Sequence, residues 1–393
     1  MTSTDAAGGR APTDHEEAVR GRREEAVAAF EERKGIVDRL QHALHVTPAL
    51  VPLIVLVVAV IVFGVVLGER FFSPSTLTLI LQQVQIVGIL AAAQTLIILT
   101  AGIDLSVGAI AVLSSVVMGQ FTFRYGVPPA ASVACGIAVG TGIGAVSGFL
   151  VSRVKLPPFI VTLGMWQIVL AANYLYSANE TIRSRDLQEN APLLRWLGAK
   201  PNEQIVAAIE ASRGIEWERR RPNSTDSPFL DFLWQTNVTY GVLIVIVLVA
   251  VLAYALRATA WGRHVYAVGD DPEAAELAGV NVKGTLMSVY MIAGAICGLA
   301  GWIMIGRFGA VTPSASTGLE GNIQSITAVV IGGISLFGGR GSIWGAFFGA
   351  LIVGVFELGL RMAGADSQWT FLLIGTLIIG AVAVDQWIRK VSA

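Results

Sequence analysis

The chain has 393 residues, of which 54% are hydrophobic and 14% charged, with a net charge of −1 at neutral pH. A soluble domain carries about 25% charged residues, and a nucleic-acid binder carries a basic excess, so both classes are excluded. Cys135 and Cys297 are too few and too dispersed for a disulfide framework or a zinc site.

Residues 1–47 are polar, with charges of both signs, and lack the apolar core and cleavage site of a signal peptide. Phe30, Val37, Leu40 and Leu44 recur at helical spacing, and Glu16 precedes Arg20 by four. An amphipathic helix on the cytoplasmic surface and a partly disordered tail both fit. Beyond residue 48 the chain alternates between charge-free apolar runs and short charged breaks. A bilayer-crossing helix needs about 20 apolar residues, and no soluble core could hide so many runs. The expectation is an all-α polytopic membrane protein, residues 48–393, of about ten transmembrane helices. They fall near 50–67, 77–99, 103–121, 130–151, 159–177, 238–256, 285–306, 322–338, 343–361 and 369–387.

Basic residues in short loops orient such a set. Arg153, Lys155, Arg257, Arg263, Lys283, Arg340, Arg389 and Lys390 fall on the side of the N-terminus; Arg70, Arg124, Arg307 and Arg361 fall opposite. Both termini are therefore read as cytoplasmic, 178–237 as an extracytoplasmic loop and 257–284 as a cytoplasmic one. Gly136, Gly140, Gly144 and Gly148 mark one helix for close packing, and Gly345 with Gly349 and Gly294 with Gly298 repeat the spacing. Ala101 to Gly108 (AGIDLSVG) is similar to Gly332 to Gly339 (GGISLFGG), which points to a duplicated or inverted core of broken helices.

Residues for chemistry are missing. The four histidines lie outside the apolar runs, and none of the five lysines follows a glycine, so no Walker A sequence exists. No catalytic residue, metal site or cofactor is expected. Asp104 admits two readings, an intramembrane functional acid or a cap for the next helix. Glu357 and Arg361, four apart, read as a structural ion pair near the outer edge. Uncharged polar residues recur within spans, Gln82, Gln83, Gln85 and Gln94 on one and Asn322, Gln324, Ser325 and Thr327 on another. Such groups must face each other or water in a bilayer. They suit a path for a neutral hydroxylated solute, with Gln94, Asp104, Ser106, Thr162, Asn173, Asn322 and Gln324 as candidate lining, or hydrogen bonding between helices. In the inner loop, Asp271 fits an N-cap, Pro272 the first helical position and Gly279 the C′ position of a two-turn helix, with Glu273 in its first turn.

The segments Gly102–Gly108, Pro158–Gly164, Trp261–Gly279 and Ile331–Gly339 together resemble the monosaccharide permeases of bacterial ATP-binding-cassette importers, the ribose, xylose and fructose group. Residues 157–182 and 366–390 resemble the fructose type in particular. The resemblance implies a multi-pass inner-membrane subunit paired with a second copy of itself. It implies a sugar-binding protein, periplasmic or lipid-anchored, outside, and a separate cytoplasmic ATPase. Asp271, Pro272, Glu273, Ala274, Glu276, Leu277 and Gly279 would dock on that ATPase, and Phe308–Gly321 would lie near the binding protein. Surrounding lipid is implied, nucleic acid is not. The long tail and an apparent insertion at 202–229 depart from the pattern. The alternative is an ion-coupled secondary sugar transporter using Asp104; a purely structural membrane scaffold is disfavoured by the amide-bearing spans.

Overall fold

A computed structural model describes residues 49–201 and 238–392; the predicted tail and the predicted insertion lie outside them. The described residues form fourteen α-helices and no strand beyond a single bridge between Ile182 and Val311. They are α1 Leu50–Leu67, α2 Pro74–Leu99, α3 Val107–Tyr125, α4 Pro129–Ser152, α5 Pro158–Ser177, the short α6 Ser184–Asn190 and α7 Pro192–Arg195, α8 Tyr240–Ala258, α9 Ala260–Asp270, α10 Pro272–Leu277, α11 Val282–Phe308, α12 Ala315–Ile331, α13 Ile343–Met362 and α14 Ser367–Ser392. Prolines open α2, α4, α5, α7 and α10, where a missing N–H costs nothing. Glycines with positive φ close α3 (Gly126), α10 (Gly279) and α11 (Gly309).

Eight helices among the described residues are long and apolar enough to cross a membrane: α1 to α5, α8, α11 and α13. The other two predicted spans are also helices. However, α12 has only 17 residues, and α14 is charge-free only up to Val384, before Asp385, Arg389 and Lys390. Two boundaries need correction. The predicted span 103–121 is helical over 107–125, and the predicted span 322–338 is helical over 315–331. In each, a glycine-rich sequence apolar enough to read as helix is unwound instead, at 100–106 and 332–342. The inner loop is also more helical than predicted. Thr259 caps α9 by accepting a hydrogen bond from Gly262 N at 3.1 Å, and eleven residues of helix precede the predicted two-turn one. The stretch expected as the outer loop 308–321 is half helix, because Ser314 caps α12.

The core is built on α11, which packs along α4, α3 and α2. The glycine stripe of α4 works as predicted. A methyl group on Gly140 or Gly144 would overlap the carbonyl oxygens of Gly294 or Tyr290 on α11. Only bare backbone permits that approach. A second layer is formed by α2, α12 and α13, in which α12 and α13 meet through Gly332, Gly345 and Gly349. We call the end that carries α9 and α10 the near face, and the end that carries α6 and α7 the far face.

Candidate translocation and coupling site

The unwound segment 100–106 lies within the bundle. Gly102 sits against Tyr290, the ninth of the 27 residues of α11, whereas Ala111 on α3 sits against Gly301, the twentieth. At 1.5 Å per residue, the segment climbs from about a third to over half of the length of α11. Unwound backbone at that depth must find partners within the protein, since each orphan group costs several kcal/mol in hydrocarbon.

The predicted path residues supply them. The Gln94 amide lies along Asp104, its nitrogen donating to the Asp104 carbonyl at 3.0 Å and its oxygen accepting from the Asp104 N–H at 3.2 Å. Thr162 on α5 donates to the Ile103 carbonyl at 3.0 Å. Asn322 on α12 donates to the Leu105 carbonyl and accepts from Gly108 N at 2.6 Å. The Asp104 carboxylate accepts from the backbone N–H of Ser106 at 2.6 Å and from its hydroxyl at 2.5 Å. Gln94, Asp104, Ser106, Thr162 and Asn322 are all buried. Five of the seven candidates thus converge on one clamp around a broken helix; Gln94, Thr162 and Asn322 bond its backbone, and Asp104 and Ser106 bond each other within it. Asp104 is buried within the bundle, but it is not the cap of the next helix: Ser106 is the N-cap residue of α3, and Asp104 holds Ser106 from two residues before it.

The other two stand apart. Asn173 on α5 is 1% exposed, and neither amide atom has a hydrogen-bond partner among the described residues. Gln324 belongs to a second cluster, toward the far face between α2, α12 and α13. Gln83 donates to Glu357 at 3.0 Å and to Gln324 at 3.4 Å. Gln324 donates to Glu320 at 3.0 Å and to Glu357 at 3.4 Å. The predicted Glu357–Arg361 pair forms at 2.8 Å, so it is one edge of a wider network rather than an isolated helical pair. Sequence reasoning missed Glu320, because the misplaced boundary put it in a loop; its spacing of four from Gln324 was the available signal.

The two similar segments meet at the near face. Gly339 N donates to the Leu99 carbonyl at 3.0 Å. The last turn of α9 closes over this junction. A methyl group on Gly269 would overlap the Leu99 carbonyl oxygen and lie 2.7 Å from Gly339 N. Tyr266 on α9 donates to the Gly341 carbonyl at 2.9 Å. Burial raises the pKa of its hydroxyl, which keeps it a donor. From this junction α10 projects outward. Asp271 accepts from Glu273 N at 2.9 Å and Ala274 N at 3.0 Å, Pro272 opens the helix, and Gly279 follows it at φ 84°. Glu273, Ala274 and Glu276 are exposed, and Leu277 is 91% exposed. The predicted cap chemistry is therefore present, on a rigid elbow that touches both unwound segments.

Sequence comparison gives these elements a context. A family described as branched-chain amino acid transport system / permease component matches residues 76–382. The chain is 62% identical over 368 residues to the fructose import permease protein of Rhizobium meliloti, covering 93% of each chain. It is 33% identical to the ribose import permease protein of Escherichia coli, over 81% of this chain and 88% of that one. It is 30% identical to the xylose transport system permease protein of Escherichia coli, over 82% and 87%. No solved structure matches. With a family model spanning the bundle and relatives aligned over nearly its whole length, this multi-pass membrane chain belongs to the family of branched-chain amino acid transport system permease components, among its sugar permeases.

Proposed function

We propose that the chain is the membrane-spanning subunit of an importer driven by a separate ATP-binding-cassette ATPase, and that it carries a monosaccharide, fructose before ribose, xylose or mannose. The chain performs no chemistry. It works as two copies in the inner membrane, with both termini in the cytoplasm. A sugar-binding protein delivers cargo at the far face, and the ATPase grips Asp271–Gly279 at the near face. The observation that carries this reading is α10. A six-residue helix is too short to persist alone in water, yet it is capped at both ends and presents Leu277 to solvent. Such a protrusion is made for a docking groove, and it stands on the junction of the two unwound segments. The 62% identity to a fructose import permease supports the choice of sugar.

The test is reconstitution. Vesicles holding the chain, its ATPase and the binding protein should accumulate labelled fructose only with ATP. Concentrative uptake by the chain alone on a proton or sodium gradient would overturn the reading.

A further inference from the structure

The hydrogen bonds that reach the segment 100–106 from neighbouring helices serve backbone. The far-face cluster is different. The side chains of Gln83, Glu320, Gln324, Glu357 and Arg361 bond one another. They repair no helix end and cap no turn. Four of the five lie inside helices and Arg361 is in the last turn of α13: Gln83 is the tenth of 26 residues in α2, Gln324 the tenth of 17 in α12 and Glu357 the fifteenth of 20 in α13. Exposure grades outward through the group. Gln324 is buried, Gln83 and Glu357 are half-buried, and Glu320 and Arg361 are exposed. The cluster therefore opens onto the surface of the subunit at a level within its membrane helices. Charged groups at that level face water or protein rather than lipid.

We propose that this cluster is a polyol-binding subsite, where the sugar is held after it enters from the far face; the assignment of the ligand rests on the proposed transport function. Two carboxamides and two carboxylates can each engage adjacent hydroxyls. The half-buried Glu357 is already matched by Arg361 at 2.8 Å, and the second carboxylate, Glu320, is exposed at the rim, so a neutral hydroxylated ligand fits the inner part of the group better than a cation. Two of its internal bonds, Gln83–Gln324 and Gln324–Glu357, are 3.4 Å long, at the weak end of the range. A hydroxyl can replace each of them without a net loss. Gln324 is two residues from Asn322, which holds Leu105 and Gly108. A ligand that moves α12 thus acts on the clamp.

The experiment uses the complete importer in vesicles, with labelled fructose and ribose offered together. The expected result for Gln83→Leu and Gln324→Leu is uptake reduced about tenfold, the worth of one hydrogen bond, with a changed fructose-to-ribose ratio. A merely structural defect lowers both sugars alike. Gln324→Asn keeps the amide but withdraws it by one methylene, and should also shift the ratio, which covers failure of the leucine variants to assemble. Uptake within about twofold of wild type and an unchanged ratio in all three variants overturns the subsite. So does a sodium or proton dependence that vanishes in Glu357→Gln while the ratio stays fixed. If the unaltered importer moves no sugar at all, the transport reading fails first, and the two failures are told apart.

Discussion

Gly269→Ala adds one methyl group where the elbow meets both unwound segments. The new carbon would overlap the Leu99 carbonyl oxygen and stand 2.7 Å from Gly339 N and 2.8 Å from the Leu99 carbonyl carbon. Ordinary contacts begin at 3.4 Å, so at least one backbone must retreat by about 0.7 Å or more. Those two atoms belong to the partners of one hydrogen bond, Gly339 N to the Leu99 carbonyl at 3.0 Å. Retreat of either partner strains it. Overpacking costs about 1–3 kcal/mol and a lost hydrogen bond about 1 kcal/mol, so the variant should lose about 2–4 kcal/mol of local stability. The loss falls on the junction beneath α10, not on α10 itself. The variant should therefore still bind the ATPase yet accumulate little sugar. Pull-down and ATP-driven uptake measured on one preparation read the two effects, and thermal denaturation in detergent reads the third. A variant with wild-type uptake and an unchanged melting temperature would refute the described packing of the elbow.

Asn322→Leu should orphan the Leu105 carbonyl and the Gly108 N–H, at about 1–3 kcal/mol each. Asn322→Asp keeps the acceptor for Gly108 and should cost less, and thermal denaturation in detergent orders the two. Leu277→Asp changes a side chain that is 91% exposed, so the melting temperature should hold while co-purification with the ATPase is lost. Gly144→Leu forces α4 away from the Tyr290 carbonyl of α11 and should prevent accumulation of the chain in membranes, as immunoblotting of membrane fractions would show.

The membrane class, the helix order and the cap of α10 were legible because each follows from local chemistry: apolar length, proline at a first turn, aspartate before it, glycine after it. The glycine stripe on α4 was legible for the same reason, since its period is a property of one helix. The unwound segments were visible only as a similarity between two glycine-rich sequences. Their true extents escaped, because Ile103, Leu105, Ile334 and Leu336 are as apolar as any helical residue. The partners that hold the first unwound segment, Gln94, Thr162 and Asn322, lie on three separate helices and come together only in the fold. The same blindness hid the far-face cluster. Glu357 read as half of an ion pair with its neighbour in sequence, whereas Gln83, 274 residues away, donates to the same carboxylate. Of the two readings of these polar residues, a path and interhelical hydrogen bonding, the second describes what the side chains of Gln94, Thr162 and Asn322 touch, whereas Asp104 and Ser106 bond each other.

The dependence of Leu105 and Gly108 on Asn322 has a consequence for biogenesis. The residue that satisfies Gly108 lies 214 positions downstream. A ribosome adds about 5–20 residues per second, so the start of α3 waits about 10–40 s for its counterpart to emerge. Throughout that interval the main chain at Leu105 and Gly108 lacks its partner. A nascent polypeptide halted before α12 should accordingly stay accessible to protease at 100–108, and quality-control proteases gain a window in which to recognise incomplete copies.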